Sequence, residues 1–154
     1  MYIQDEGAKL LCSYIRSNPH LRCLELRGNQ LTSQGLQEIM DTLANSSIRL
    51  LTLDWNRVGA PTRRGVDALA HFLQNNHTLQ HLSLQNNELG AEEIHSLLQA
   101  LERNTGLLSL DLKWNPLGGR VGPLLAQALG ANRALLYLEL GGCDIATNDL
   151  DRID

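Results

Sequence analysis

The stretch Leu79-Gln-His-Leu82-Ser-Leu84-Gln-Asn-Asn87-Glu-Leu89 decides the fold of this chain of 154 residues. It carries leucine at its first, fourth, sixth and eleventh places and asparagine at its ninth place. Four other stretches share this spacing: Leu21, Leu24, Leu26, Asn29 and Leu31; Ile48, Leu51, Leu53, Asn56 and Val58; Leu107, Leu110, Leu112, Asn115 and Leu117; and Leu135, Leu138, Leu140, Cys143 and Ile145. Successive ninth-place residues are 27, 31, 28 and 28 positions apart. Such regular self-similarity predicts an array of stacked repeats.

Each place in the pattern has a physical reason. Apolar and polar residues alternate around the fourth to sixth places, which predicts a short strand with its leucines facing inward. The chain then enters an irregular turn, whose backbone N–H and C=O groups need partners. A buried asparagine side chain both donates and accepts, so it can serve this turn and bridge to the neighbouring repeat. We therefore expect a structural ladder made of Asn29, Asn56, Asn87, Asn115 and Cys143, in which the thiol is only a weak donor.

Apolar residues with helical spacing follow each turn, for example Ile94, Leu97, Leu98 and Leu101. One strand and one helix in each unit of about 28 residues predict an α/β solenoid with the shape of a horseshoe. About five repeats would place a parallel sheet on the concave side and helices on the convex side. Residues 1–154 are expected to form a single domain.

This pattern resembles the leucine-rich repeat of the ribonuclease-inhibitor type, the long variety with a helix on the convex side. The resemblance covers nearly the whole chain. Proteins with this repeat include inhibitors, innate immune sensors, actin-capping proteins, GTPase activators and ciliary or centrosomal scaffolds, so the resemblance implies protein binding without naming a partner. Two stretches, Leu53-Asp-Trp-Asn56 and Leu110-Asp-Leu-Lys-Trp-Asn115, are most similar to the repeat domain of a centrosomal or ciliary leucine-rich-repeat linker protein. That similarity implies a cytoskeletal setting.

Both ends of the sequence fall part-way through a repeat. Ile3 corresponds to Leu31 of the next copy, and Leu150 and Ile153 stand where a further helix would begin. Terminal repeats of a solenoid normally carry polar caps, and neither end supplies one. We expect either a segment of a longer protein or a chain whose open ends are covered by a partner or by self-association.

Composition and charge argue against several classes of protein. The formal net charge of −4 is too small to indicate binding to nucleic acid or to an anionic membrane. The apolar runs are shorter than the ~18 residues of a membrane span, and the first residues do not resemble a secretory signal. Cys12, Cys23 and Cys143 occupy different places in the repeat, which favours free thiols in a reducing compartment. We expect a cytoplasmic protein, with the centrosome or the cilium as the setting that the resemblance implies.

Two N-x-[ST] sequons, at Asn45 and Asn76, point toward secretion instead. Both lie at a join from helix to strand, where small polar residues also suit the turn. Glycosylation and turn chemistry are the two alternatives.

Two tryptophans give the sharpest functional signal. Trp55 and Trp114 both stand at the eighth place, in alternate repeats, and a lengthened turn that carries arginine follows each. Because neighbouring parallel strands lie about 4.8 Å apart, we expect the two rings about 10 Å apart along one rim. Exposed aromatic rings beside arginines are typical of binding hot spots. The alternative is that each ring packs over its own turn.

Polar side chains at the third, fifth and seventh places of the strands are expected to face the concave side. With the tryptophans and the turn arginines, they make up the predicted binding surface. The predicted partner-binding residues are Trp55, Trp114, Tyr137, Glu25, Asp54, Asp111, Glu139, Arg63, Arg64 and Arg120. The acidic residues among them predict a protein partner with a basic strip.

The sequence contains no pattern typical of catalysis. Asp111 and Glu139 are neighbouring carboxylates, a pairing that can perform acid–base chemistry. An open sheet and the nearby Lys113 favour charge complementarity or simple solvation instead. The histidines lack metal-site spacing, and no phosphate-binding loop or nucleophile motif occurs. We predict no catalytic residue, no metal and no cofactor.

These observations predict a non-enzymatic scaffold that binds a protein partner on the concave sheet and on the rim where strands lead into helices. The rival hypothesis is a regulatory subunit that acts on an enzyme, such as a GTPase activator.

Overall fold

The computed structural model describes residues 1–145, in which every repeat contributes a short strand followed by a turn, and the first four turns lead into helices. The strands are β1 Cys23–Glu25, β2 Leu50–Thr52, β3 His81–Ser83, β4 Ser109–Asp111 and β5 Tyr137–Glu139. The helices are α1 Gln4–Ser17, α2 Ser33–Leu43, α3 Arg64–Asn75, α4 Ala91–Leu101 and α5 Gly122–Ala131, and a short 3-10 turn over Gly119–Val121 precedes α5. The predicted helical positions Leu150 and Ile153 lie outside the described residues.

All five strands form one parallel sheet in the order β1-β2-β3-β4-β5. Equal places of the repeat are paired side by side, so that Cys23, Leu50, His81, Ser109 and Tyr137 form one row across the sheet. The predicted α/β solenoid with a parallel sheet is confirmed.

The space between the sheet and the helices is filled by leucines. The fourth- and sixth-place side chains of the middle strands, which are Leu51, Leu53, Leu82, Leu84, Leu110 and Leu112, are at most 2% exposed. Helix residues Ile39, Leu69, Leu97 and Leu125 meet them and are fully buried. Burying one such side chain contributes about 1.5–3 kcal/mol, so the repeated leucine rows are the main stabilising element.

The ninth-place asparagines hydrogen-bond to the backbone across neighbouring repeats. Asn115 is fully buried. Its Oδ1 accepts from the N–H groups of Asn87 at 2.8 Å and Leu89 at 3.2 Å. Its Nδ2 donates to the carbonyl oxygens of Leu84 and Leu112, each at 2.8 Å. One side chain thus satisfies four backbone groups that the irregular turns leave without partners.

The other ninth-place residues repeat this arrangement in part. Asn56 accepts from the N–H groups of Asn29 and Leu31, which belong to the preceding repeat. In the fifth repeat, the Cys143 thiol donates to the Leu112 carbonyl at 3.1 Å. Burial raises the pKa of this thiol, which keeps it protonated and able to donate. Sulfur is a weak acceptor, so this position supplies mainly a donor.

A second row of asparagines, which we did not predict, runs along the opposite rim. Asn76, Asn104 and Asn132 lie at the joins from helix to strand, 28 positions apart. Asn104 is 2% exposed, and its Nδ2 donates to the carbonyl oxygens of Leu73 at 2.7 Å and Asn76 at 3.0 Å. Its Oδ1 accepts from the N–H of Leu107 at 2.8 Å. The 28-residue interval was the signal for this row, but the same residues also fit ordinary turn chemistry.

This second row bears on the sequon at Asn76. The Asn76 side chain is 6% exposed, and its Oδ1 accepts from the N–H groups of Thr78 and Leu79, both at 3.0 Å. The amide is therefore part of the turn, and its burial favours turn chemistry over glycosylation at this position. Asn45, in the other sequon, is exposed.

Within residues 1–145, no helix combines the length and the apolar character needed to cross a membrane.

Candidate partner-binding surface

The two tryptophan rings lie against each other on the rim where strands lead into helices. Their centroids are 5.8 Å apart and their planes are tilted by 58°. The expected separation of about 10 Å was wrong, because the spacing of the strands does not determine the directions in which the two side chains project. Trp55 remains 45% exposed and Trp114 remains 52% exposed. A tilted pair at this distance is a favourable aromatic arrangement, and it leaves about half of each ring in solvent.

The backbone beneath these rings is left-handed in every repeat. The eighth-place φ angles are +66° at Gly28, +56° at Trp55, +48° at Asn86, +56° at Trp114 and +71° at Gly142. Glycine adopts this conformation without strain, whereas for a residue with a large side chain its conformational free energy is higher by roughly 1–2 kcal/mol. Two repeats therefore hold a tryptophan at a position where glycine would be less strained. Strain of this kind motivates a hypothesis of function.

The surroundings of Trp114 show how its ring is placed. A Cβ atom built on Gly142 would overlap the indole ring, so the ring lies directly over this glycine. Gly142 thus serves its own left-handed turn and also leaves room for the neighbouring ring.

Asp54 does not fit its predicted role as an exposed contact. It is only 4% exposed, and its Oδ1 accepts hydrogen bonds from the Ser83 hydroxyl and from the N–H of Gln85 at 3.0 Å. The Ser83 side chain faces the concave side, so this carboxylate lies on that face and joins β2 to β3. A partner cannot reach it without breaking those bonds.

Asp111 and Glu139 lie together on the sheet and share one lysine. The Nζ atom of Lys113 is 3.7 Å from Asp111 and 3.5 Å from Glu139. Asp111 also accepts a hydrogen bond from the Gln85 side chain. Lys113 therefore offsets part of the acidic charge on the concave face. Glu25, at the other end of the sheet, accepts a hydrogen bond from the Cys23 thiol.

The predicted arginines are spread over several local contacts. Arg63, just before α3, lies 3.5 Å from Asp67 in that helix. Arg64 lines a groove between the turn before α3 and the start of α2. Arg120 is exposed in the 3-10 turn that precedes α5.

Tyr137, on β5, is 68% exposed. The structure thus brings the two tryptophans together and pairs Asp111 with Glu139, whereas the remaining candidates lie apart from one another.

Cys23 provides a chemical probe of this face. It is exposed, and partial burial followed by the negative charge of Glu25 raises the pKa of its thiol. Replacing Glu25 by glutamine removes that charge, which lowers the thiol pKa and increases the thiolate fraction near neutral pH. We therefore expect Glu25→Gln to alkylate faster than the native protein at Cys23, measured by mass spectrometry with iodoacetamide. Glu92→Gln, a distant exposed change on α4, is the matched control and should alkylate at the native rate.

In the part of the chain that the structure describes, no three His, Cys, Asp or Glu side chains are grouped so that they could hold a metal ion. His77 instead contacts the hydroxyl of Thr105, with 3.0 Å between Nδ1 and Oγ1.

A family model described as Leucine Rich repeat matches residues 17–40 and 75–92. The first match runs from the end of α1 through β1 into α2, and the second contains β3 and its turn. The matched units are the same strand-and-turn units that stack in register in the sheet. These matched units are leucine-rich repeats, and the fold is a leucine-rich-repeat solenoid.

Several leucine-rich-repeat proteins are similar in sequence. Leucine-rich repeat-containing protein 45 of Gallus gallus is 35% identical over 96 residues, which are 60% of this chain and 14% of that protein. NACHT, LRR and PYD domains-containing protein 5 of Homo sapiens is 36% identical over 86 residues, 56% of this chain and 7% of that protein. Ribonuclease inhibitor of Sus scrofa is 37% identical over 86 residues, 56% of this chain and 19% of the inhibitor. The matched part is less than a fifth of each relative.

Solved structures share the leucine-rich-repeat fold over nearly the whole chain. The tropomodulin C-terminal domain of Caenorhabditis elegans superposes with a TM-score of 0.76 at 15% identity, covering 95% of this chain and 88% of that one. Leiomodin-1 Actin-Binding Site 2 superposes with a TM-score of 0.73 at 22% identity, covering 92% of this chain and 86% of that one. At these identities the likeness shows the fold alone, and it confirms the predicted horseshoe.

Proposed function

We propose that this leucine-rich-repeat domain is a non-enzymatic scaffold that binds a protein partner on its concave sheet and on the tryptophan-bearing rim. The observation that carries the proposal is the pair of half-exposed tryptophans held on left-handed backbone. Other repeats of the chain place glycine or asparagine at the same position. Large exposed rings at strained positions contribute little to the core, so their value lies in what they contact.

The binding mechanism is rigid presentation. Stacked repeats hold both rings in place before a partner arrives, so little ordering entropy is lost when the complex forms. Alanine substitution of a tryptophan at the centre of an interface typically costs about 3 kcal/mol of binding free energy, and we expect a loss of this order for each ring. Tyr137, Glu25 and Glu139 offer further exposed contacts on the sheet, whereas Asp54 serves the fold.

For the setting we propose a cytoplasmic, cytoskeletal assembly, at the centrosome or the cilium, which the resemblance of the tryptophan-bearing repeats supports. The leiomodin neighbour is named for an actin-binding site, so actin is a partner to include in a direct assay.

The test compares the native protein with Trp55→Gly/Trp114→Gly in affinity capture from the cells of origin and in binding to purified actin. Glycine is chosen because Gly28 and Gly142 occupy this place in other repeats, so the backbone keeps its conformation. We expect the variant to unfold at nearly the native temperature and to lose at least about tenfold in the recovery of specific partners.

The control is Asn86→Gly, which changes the same place in the repeat between the tryptophans and keeps both rings. It should capture the native set of partners. If the double tryptophan variant captures that set as well, the rim is not the binding site.

Acceleration of GTP hydrolysis by small GTPases on addition of the native domain would favour the regulatory-subunit hypothesis instead.

A further inference from the structure

A depression on the opposite rim, where helices lead into strands, is rich in hydrogen-bond donors. It is lined by Arg22, Ser47, Arg49, His77, Thr78 and Gln80. None of these six residues is acidic. The depression belongs to the first three repeats, at the start of their strands, and the tryptophans lie beyond the other end of the strands.

The two arginines stand side by side. The N–H of Arg49 donates to the carbonyl oxygen of Arg22 at 2.8 Å, which places them at the same level of neighbouring repeats. The carbonyl oxygen of Arg49 in turn accepts from the N–H of Gln80 at 2.9 Å. Neighbouring strands of a parallel sheet are about 4.8 Å apart, so both guanidinium groups emerge within reach of a single anion.

Their positive charge is not balanced within the described fold. The ion pairs of residues 1–145 involve Lys9, Arg57, Arg63 and Lys113, and neither Arg22 nor Arg49 is among them. The nearest carboxylate along the strand, Glu25, lies three residues on, at roughly 10 Å. Two adjacent like charges repel each other, so an external anion between them is stabilised.

The carboxylates of the concave face do not neutralise these arginines either. Asp54 is buried, and Asp111 and Glu139 share Lys113. Asp54 is held by hydrogen bonds from the third repeat, and Asp111 and Glu139 lie at least two repeats from both arginines, so these carboxylates are poor counter-ions for Arg22 and Arg49. At the rim that carries Arg22 and Arg49 the electrostatic complement is therefore an anion, whereas the basic strip predicted from the sequence would face the carboxylates of the sheet.

The donors suit a phosphate group. Guanidinium forks bind the oxygen atoms of phosphate or carboxylate in pairs, and a phosphate presents three terminal oxygens that can engage two forks at once. The Ser47 hydroxyl and the Gln80 amide are further donors at the edge of the depression. We propose that the depression between Arg22 and Arg49 binds the phosphate of a phosphorylated serine or threonine on a protein segment. This site is separate from the tryptophan rim and stands independently of the function proposed for it.

The test uses short fluorescent peptides and the whole chain. The probes are Gly-Gly-pSer-Gly-Gly, the same peptide with serine, the same peptide with glutamate, and inorganic phosphate. Binding is followed by anisotropy and by amide shifts in two-dimensional NMR. We expect the phosphoserine peptide to bind at least about tenfold more tightly than the serine peptide, with shifts confined to the repeats that line the depression.

Arg22→Gln/Arg49→Gln is the test variant, and it is expected to lose this preference. Arg103→Gln/Arg133→Gln removes the same charge from exposed positions in later repeats on the same rim and should keep it. Equal binding of the glutamate peptide would overturn phosphate recognition in favour of carboxylates. Inorganic phosphate binding as tightly as the peptide would show a free-anion site rather than a protein-binding one. Equal loss in both double variants would show only a general effect of charge, and undiminished binding by the test variant would remove the site.

Discussion

Replacing Asn115 by alanine is expected to lower the free energy of unfolding by about 4 kcal/mol, because it removes hydrogen bonds from four buried backbone groups. The N–H groups of Asn87 and Leu89 and the carbonyl oxygens of Leu84 and Leu112 would all lose this partner. Each buried polar group left without a partner costs on the order of 1–3 kcal/mol, with some recovery by relaxation or by entry of water. Urea unfolding followed by circular dichroism measures the loss.

Two further variants show whether the hydrogen bonds are the cause. Asn115→Cys places in the fourth repeat the residue that the fifth repeat has at Cys143, where the thiol donates to the backbone. It should retain part of the lost stability, since the donor is replaced but the strong acceptor is not. Asn45→Ala, at an exposed position, should change stability by less than about 0.5 kcal/mol. A loss below 1 kcal/mol for Asn115→Ala would contradict the role of the ladder.

Gly106→Ala is expected to destabilise the fold by roughly 3 kcal/mol, because the added methyl group would overlap the backbone of the neighbouring repeat. The overlap is with the carbonyl group of His77, which cannot rotate away as a side chain could. The third and fourth repeats would have to separate at this rim, which would weaken the adjoining bonds of Asn104. Thermal unfolding and urea unfolding of the same preparations report the effect.

The matched control is Gly130→Ala, the same chemical change inside α5. A Cβ at Gly130 meets no atom within 4 Å, so it adds no overlap. Alanine is the better helix former, and this variant should gain about 0.5–1 kcal/mol. If Gly106→Ala is as stable as the native protein, the packing between the two repeats at His77 is looser than the structure shows.

The fold could be predicted from the sequence because each predicted feature depends on residues close together within one repeat and on the stacking of equal repeats. Leu82 and Leu84 face the core because side chains alternate along a strand, and the register follows because equal units stack. The same reasoning failed for the tryptophans. Their separation depends on the direction in which each ring projects, and the Trp114 ring lies over Gly142, which belongs to the next repeat.

Asp54 shows the same limit for polar residues. Period-two alternation places it on the open face, and its hydrogen bond with the Ser83 hydroxyl lies on that face. Its burial was not predicted because it depends on the neighbouring repeat, whose Ser83 hydroxyl and Gln85 N–H both donate to the carboxylate. Asn104 is a related case. The sequence shows its 28-residue spacing, but its burial depends on carbonyl groups in the preceding repeat.

The hydrogen bonds of both asparagine rows cross to the preceding repeat. Asn56 serves Asn29 and Leu31, Asn104 serves Leu73 and Asn76, and Asn115 serves Asn87 and Leu89. A growing polypeptide therefore cannot close one turn until the next unit has left the ribosome. At about 5–20 residues per second, each closure follows the previous one by a few seconds. Synthesis would thus complete the horseshoe one unit at a time, and the newest unit would always be the one still open to proteases and chaperones.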